Sequence, residues 1–273
     1  MKSTDQFLEH HVNRLIDSCL ASGLEMPPVD LHEIARRSAV LAIKDQRMIP
    51  EAVLSTEAGG FCIYLQSNFK DFPGAEVRQR FSLAHEIAHT FFYKLRDGVQ
   101  KPNRGAPRGD ELERACHIGA GLLLVPQRFL IQEIRRIDGP IGAKHTLDLA
   151  RKFDVSVEVM LRRLHQVRAF ESTDLALVLV RRPQKSEAVI EFATYPPWLR
   201  TLLPTPQRGL AFASWLESCG PDFRPAEVGL NGKSDPDECL MFERGLRKRT
   251  RLGVLHVSPF DVTRSQQIFE LRI

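Results

Sequence analysis

The feature that most constrains this chain is a short pattern inside a segment that must be buried. From Arg80 to Lys94 the sequence reads RFSLAHEIAHTFFYK, helical in period and apolar on most sides. A helix of that kind belongs inside a protein, so each polar residue in it needs a reason. Three of those residues are His85, Glu86 and His89, in the order H-E-x-x-H. Residues four apart on a helix lie one above the other, so the two imidazoles face the same way and can hold one zinc ion, while Glu86 projects beside it. With nine histidines and 34 acidic residues in 273, about 0.04 such patterns are expected by chance. The competing reading is two core histidines satisfied by hydrogen bonds. It asks two imidazoles and a carboxylate to find partners in an otherwise apolar helix, which is costly.

A catalytic zinc takes three protein ligands and keeps one position for water. An extended motif with Gly at position 92 and His at position 95 would supply the third ligand, but those positions hold Phe92 and Leu95. The alternative is a carboxylate on the next helical segment, Glu111 to about Val125, which begins with Glu111 and Glu113. Glu113 has His117 one turn later on the same face, a spacing suited to a ligand and a hydrogen-bonding neighbour. Spacing therefore favours Glu113 and leaves Glu111, His117 and Cys116 open.

Around this segment the chain is organised in three parts. Residues 5 to 21 form an amphipathic stripe ended at Gly23, a short helix follows with Asp30 as its N-cap, and Val40 to Ile43 reads as a buried strand. Residues 52 to 66 are two apolar runs around Gly59-Gly60, the pattern of a hairpin. Arg96 to Asp110, rich in Gly, Pro, Asn and Arg, reads as a loop. Residues 127 to 170 are helical in period, broken at Asp138-Gly139-Pro140, and beyond Glu171 short apolar runs at 175–180, 188–192, 240–242 and 254–257 read as strands. The expected class is α+β: a mixed α/β domain over 1–126, a small helical domain over 127–170 and a strand-rich domain over 171–273.

Composition excludes several alternatives. No stretch approaches the ~20 uncharged apolar residues of a membrane helix, and Asp5, Glu9, Arg14 and Asp17 interrupt the N-terminal apolar positions, so neither a span nor a secretory signal is expected. Five scattered cysteines without a CxxC pair suggest no disulfide framework, and a reducing cytoplasm fits them. A net charge of +4 permits nucleic acid without demanding it. The basic residues concentrate in Arg244 to Arg251 and in Lys144 to Arg168, where solvated surface is the plainer reading.

Two blocks carry a resemblance. Arg80 through His89 (RFSLAHEIAH) and Glu113 through Pro126 (ERACH…LLVP) resemble the conserved blocks of the ImmA/IrrE metallopeptidase family. Aligned on Pro126, the family's metal-ligating glutamate falls on Glu113. The departure is His117, where the family usually has Asn, so either the surroundings of the ligands differ here or an extra imidazole could crowd or occupy the open coordination position. Residues 147 to 164 are similar to the helix-turn-helix-like segment that follows the catalytic domain in longer, IrrE-type members, with Ser156 as N-cap of its second helix. In those members a GAF-like sensor domain comes last; for 171–273 only position and length carry that comparison.

The resemblance implies a zincin-like fold and a zinc endopeptidase that cuts a helix-turn-helix transcriptional repressor under stress. Zinc on His85, His89 and Glu113 would make its bound water nucleophilic near neutral pH, with Glu86 taking the proton. Mn²⁺ or Fe²⁺ can occupy a set of the same type. The substrate backbone would lie along the edge of the 52–66 hairpin. Tyr93, read as one turn beyond His89, and His117 are candidates for a second donor to the oxyanion, against a core-aromatic role for Tyr93. The segment 144–168 could touch DNA or serve as a scaffold, and the last domain could bind a small-molecule signal. The rival function is a non-catalytic sensor or transcription-linked binding protein. Against it stands Glu86, which such a protein would not need.

Overall fold

A computed structural model describes residues 4–24, 26–57, 59–67, 75–96, 99–170, 175–181, 189–194, 205, 207–211, 214–215, 218, 240–242, 255–263 and 266–272. Among them are seven helices and three small sheets, a mixed α and β architecture. The chain divides into two compact units, Met1–Gln132 with Ala150–Val159 and Glu133–Leu149 with Met160–Ile273.

The first unit begins with α1 (Thr4–Ala21), whose stripe Leu8, Val12, Ile16 and Cys19 is fully buried, as the spacing of three and four requires. The short helix α2 (Leu31–Arg37) starts where expected: the Asp30 carboxylate accepts from the N–H groups of His32 (2.9 Å) and Glu33 (3.1 Å). Then come β1 (Val40–Gln46), β2 (Ala52–Glu57) and β3 (Gly60–Gln66), in the order β1-β3-β2. β2 and β3 form the expected hairpin, paired from Ala52↔Leu65 to Glu57↔Gly60, and β1 runs parallel to β3. The register shifts between Val40 and Ala42, and Leu41 folds over Gly60, where a Cβ would stand 2.1 Å from Leu41 Cγ. A side chain at position 60 would have to displace the Leu41 side chain from over the bulge.

Helix α3 (Ala75–Thr90) starts five residues earlier than its apolar pattern suggests and ends four earlier. At its end Thr90 Oγ1 turns back onto the Ile87 carbonyl (2.6 Å), and the N–H groups of Phe91 and Phe92 reach Ala88 and His89 carbonyls at 3.1 Å. The last turn is thus tightened and closed. The Phe91-Phe92-Tyr93 run does not prolong the helix: Tyr93 opens β4 (Tyr93–Arg96), which pairs with β5 (Val99–Pro102). The segment read as a loop from Arg96 therefore contains a strand.

Helix α4 (Asp110–Leu124) packs on α3 and α1 through Ala115, Cys116, Gly119, Ala120 and Leu123. A Cβ at Gly119 would lie 2.9 Å from Ala88 Cβ and 3.3 Å from Leu8 Cδ2. That missing side chain lets the two helices approach closely. Next come α5 (Gln127–Ile134), α6 (Ala143–Phe153) and α7 (Val157–Gln166), with Ser156 Oγ accepting from the Val159 N–H (3.3 Å) at the start of α7.

In the second unit the strands β6 (Leu175–Arg181), β7 (Val189–Thr194), β8 (Leu240–Phe242), β9 (Leu255–Thr263) and β10 (Gln266–Arg272) form an antiparallel sheet ordered β7-β6-β10-β9-β8. Leu177 to Val180 are buried on both faces of β6, as its unbroken apolar run implies. β10 goes beyond the strands expected from sequence, because QQIFELR mixes charge into its alternation. The basic run Arg244 to Arg251 and the cysteines Cys219 and Cys239 lie outside the described residues. Among the described residues no helix is long and apolar enough to cross a membrane.

Candidate metal centre

α3 presents His85 and His89 one turn apart toward α4, with Nε2 atoms 3.1 Å from each other and rings crossing at 74°. α4 brings Glu113 over the pair: Oε2 lies 3.2 Å from His85 Nε2 and Oε1 3.6 Å from His89 Nε2. One ligand atom from each of the three residues lies within 4.8 Å of the other two, the span a single ion can bridge. The imidazoles are 12% and 13% exposed and the glutamate 55%.

Burial decides the protonation of the pair. The His85 pKa is pulled down to about 4, first by burial and then by His89 and His117, against the attraction of Glu113. That of His89 is also lowered, chiefly by burial. The close His85–Glu113 contact is therefore not an ordinary ion pair at neutral pH. Two neutral imidazoles and a carboxylate aim their acceptors at one point, and this donor set fits a divalent cation. Glu86 is also buried, but not among the three. Burial pushes its pKa up to about 7, the Glu113 charge pushes in the same direction, and a hydrogen bond from the Leu54 backbone opposes both.

The surroundings hold this arrangement. Ser82 Oγ donates to Glu51 Oε2 (2.9 Å), and Arg78 pairs with the same carboxylate, tying the residue before β2 to α3. Arg80 holds the Asp154 carboxylate (2.9 Å) and reaches the carbonyls of Val29 and Asp154 (3.2 Å each). His85 Nδ1 is buried with no hydrogen-bond partner among the described residues. The ring is instead confined by its neighbours: His117 meets it edge-on at 4.6 Å, and Phe81 flanks His117 at 5.7 Å.

The residues read from sequence thus separate. His85, His89 and Glu113 come together, with Glu86 buried beside them. Glu111 and Cys116 are outside the group of three, and Cys116 is a fully buried thiol whose pKa burial raises. His117 does not hydrogen-bond through the Glu113 carboxylate as its spacing suggests. Its Nδ1 lies 2.8 Å from the Glu113 main-chain carbonyl. Tyr93 sits on β4 rather than on the face of α3, half-buried, with its pKa raised by burial and by the charges of Cys116 and Glu113. Sequence reading missed the backbone of Leu54, because a main-chain donor leaves no residue signature. It also missed the β4–β5 pairing, although Asp97-Gly98 between two short runs is a hairpin signal.

A two-histidine, one-carboxylate group on adjoining helices, with a further buried glutamate beside it, is a candidate site for a divalent ion of the metallopeptidase type. Residues 73–165 match the family model of the IrrE N-terminal-like domain, peptidase M78. The radiation response metalloprotease IrrE of Deinococcus deserti is 37% identical over 91 residues, 32% of this chain and 31% of that protein. The chain therefore matches about a third of the length of that curated relative. A solved structure described as a Mycobacterium tuberculosis transcriptional regulator aligns with 99% of this chain and 76% of its own, at 14% identity and a TM-score of 0.44.

Proposed function

We propose that the chain is a zinc-dependent endopeptidase acting on a protein substrate, with His85, His89 and Glu113 holding the metal and Glu86 moving the proton. The observation that carries this reading is Glu86. It is only 9% exposed beside the ligands, is not one of them, and has a proton affinity raised toward neutrality. A carboxylate held that way is suited to accept a proton and return it near the working pH. A bound zinc would supply Lewis acidity, polarising the scissile carbonyl and lowering the pKa of a water. Glu86 takes the proton of the attacking water and delivers it to the leaving amine. β2 is an edge strand, paired only with β3 among the described residues, and a substrate chain added along it would run past the centre.

The IrrE-like relationship supports a helix-turn-helix repressor as the substrate, a cytoplasmic location and a role in a stress response. It also supports a division into peptidase, helix-turn-helix-like and GAF-like sensor domains at 1–126, 127–170 and 171–273, with a small-molecule signal at the last. Tyr93 and His117 are the nearest candidates to assist at the developing oxyanion.

The test is Glu86→Gln. It should retain about one zinc per chain and lower the cleavage rate of a cognate repressor by ~10²–10⁴. Cleavage at the wild-type rate would remove Glu86 from the mechanism. An intact chain that binds no zinc even after addition would favour the non-catalytic sensor reading.

A further inference from the structure

The ribbon β4–β5 contains a pairing that costs it stability. Lys94 stands directly opposite Lys101, a position where side chains meet at ~5 Å and like charges repel. Both are exposed, and so are Arg104 and Arg108 just beyond the ribbon. None of the four forms a salt bridge among the described residues. Between Tyr93 and Gly109 the sequence holds five basic residues and one acid, a surplus equal to the net charge of the whole chain. The denser basic run, Arg244 to Arg251, lies outside the described residues, so the ribbon is the basic cluster whose placement the structure gives.

The ribbon is also firmly placed. The Asn103 N–H donates to the Phe92 carbonyl (2.8 Å) and its side-chain amide to the Phe91 carbonyl (2.9 Å), fastening the end of β5 to the end of α3. Side chains alternate along a strand. Tyr93 and Pro102 therefore occupy one face, and Lys94, Lys101 and the exposed Val99 the other. Tyr93 is half-buried whereas both lysines are exposed, so the lysine face is open to solvent.

We propose that the lysine face, with Arg104 and Arg108, is a phosphate-backbone binding surface for duplex nucleic acid, separate from the metal centre and independent of its chemistry. A two-stranded ribbon is narrow enough for a major groove. Unpaired single cations on it contact phosphates and do not read bases, so the binding is insensitive to sequence. A carboxylate-rich protein segment is the rival ligand. It is disfavoured because Val99 is the one exposed apolar side chain described on the face, too little to anchor a peptide.

The test is fluorescence anisotropy of a labelled 20-base-pair duplex with the full chain. Binding should be measurable at ~50 mM NaCl and fall with salt at a log–log slope of ~−2 to −4, for two to four phosphate contacts. Lys94→Glu should raise Kd by ~10-fold or more. The same change replaces repulsion by attraction across the ribbon, so its melting temperature should stay the same or rise. Lys101→Glu is the mirror test and should behave alike. Absence of binding at ~50 mM NaCl, salt-independent binding, or wild-type affinity in both variants would overturn the proposal. So would tighter binding of a labelled 15-residue polyglutamate peptide, which would assign the face to an acidic protein partner.

Discussion

The two helices that meet at the metal centre contribute in opposite ways. α3 offers imidazoles that are nearly enclosed, held in a T-shaped pair and kept neutral by burial, whereas α4 offers a carboxylate more than half open to water. α3 itself carries the counter-example, since a second glutamate, Glu86, is buried there and its proton affinity rises. One residue type is thus sorted into two tasks by environment alone. The exposed glutamate can turn onto an ion held by the two imidazoles, and the buried one suits a group that must gain and lose a proton. Half of the site is built into the core, and the other half is laid over it from the surface.

That contrast can be broken by removing one residue from each helix. His89→Ala should have the largest effect: metal content falls to background, and the metal-free chain is also destabilised by ~1–3 kcal/mol, because a ring only 13% exposed and packed against His85 is lost. Glu113→Ala should also lower metal affinity, by more than the ~100-fold that marks loss of a group merely orienting a ligand. Its metal-free stability, however, should stay within ~0.5 kcal/mol of wild type, as expected for an exposed side chain. Elemental analysis and thermal unfolding in chelator measure both. Equal destabilisation of the two metal-free variants would show that Glu113 is tied into the core as firmly as His89.

His117 lies between these extremes, on α4 but against the His85 ring. His85 Nδ1 has no hydrogen bond to fix its ring among the described residues, so His117 takes over part of that task by contact. His117→Ala should weaken metal binding ~10-fold and leave one metal per chain at saturation. A change in stoichiometry would instead make His117 a ligand, and no change would make it a bystander.

How much of this was legible depends on whether a side chain or the backbone carries the feature. His85, Glu86 and His89 declare themselves by spacing, and Asp30 by its place before an apolar turn, because both depend on local helical geometry. Glu113 required two helices to pack at a fixed distance. Its spacing favours it, yet only the close approach at Gly119 brings it to the histidines. Tyr93 escapes a sequence reading because three aromatics in a row satisfy helix and strand equally, and Thr90 and Asn103 settle the matter through hydrogen bonds that composition does not reveal. The Leu54 backbone contact to Glu86 and the clasp of Glu51 on Ser82 join segments some 30 residues apart, and no periodicity encodes them.

The smallest expected effect tests the support of α3 from its other side. His11 on α1 packs at 4.4 Å against Phe91 and at 5.9 Å from Phe7, and Phe7 in turn meets Phe92 at 5.7 Å. Burial lowers the pKa of His11 below the usual histidine value, with Arg14 and His10 adding to the shift. The folded state therefore prefers the neutral ring, while the unfolded chain takes up a proton near pH ~6.5. Stability from this residue is fully present above that pH and is lost as pH falls through the lower folded value. His85 and His89 shift in the same direction, so the pH dependence of the wild type alone does not isolate His11. The difference between wild type and His11→Phe does. The metal-free wild type should lose more melting temperature between pH 7 and 5 than His11→Phe, by at most ~2–4 °C. Parallel curves for the two proteins would mean that His11 is already hydrated and that α1 supports α3 through its aliphatic stripe alone.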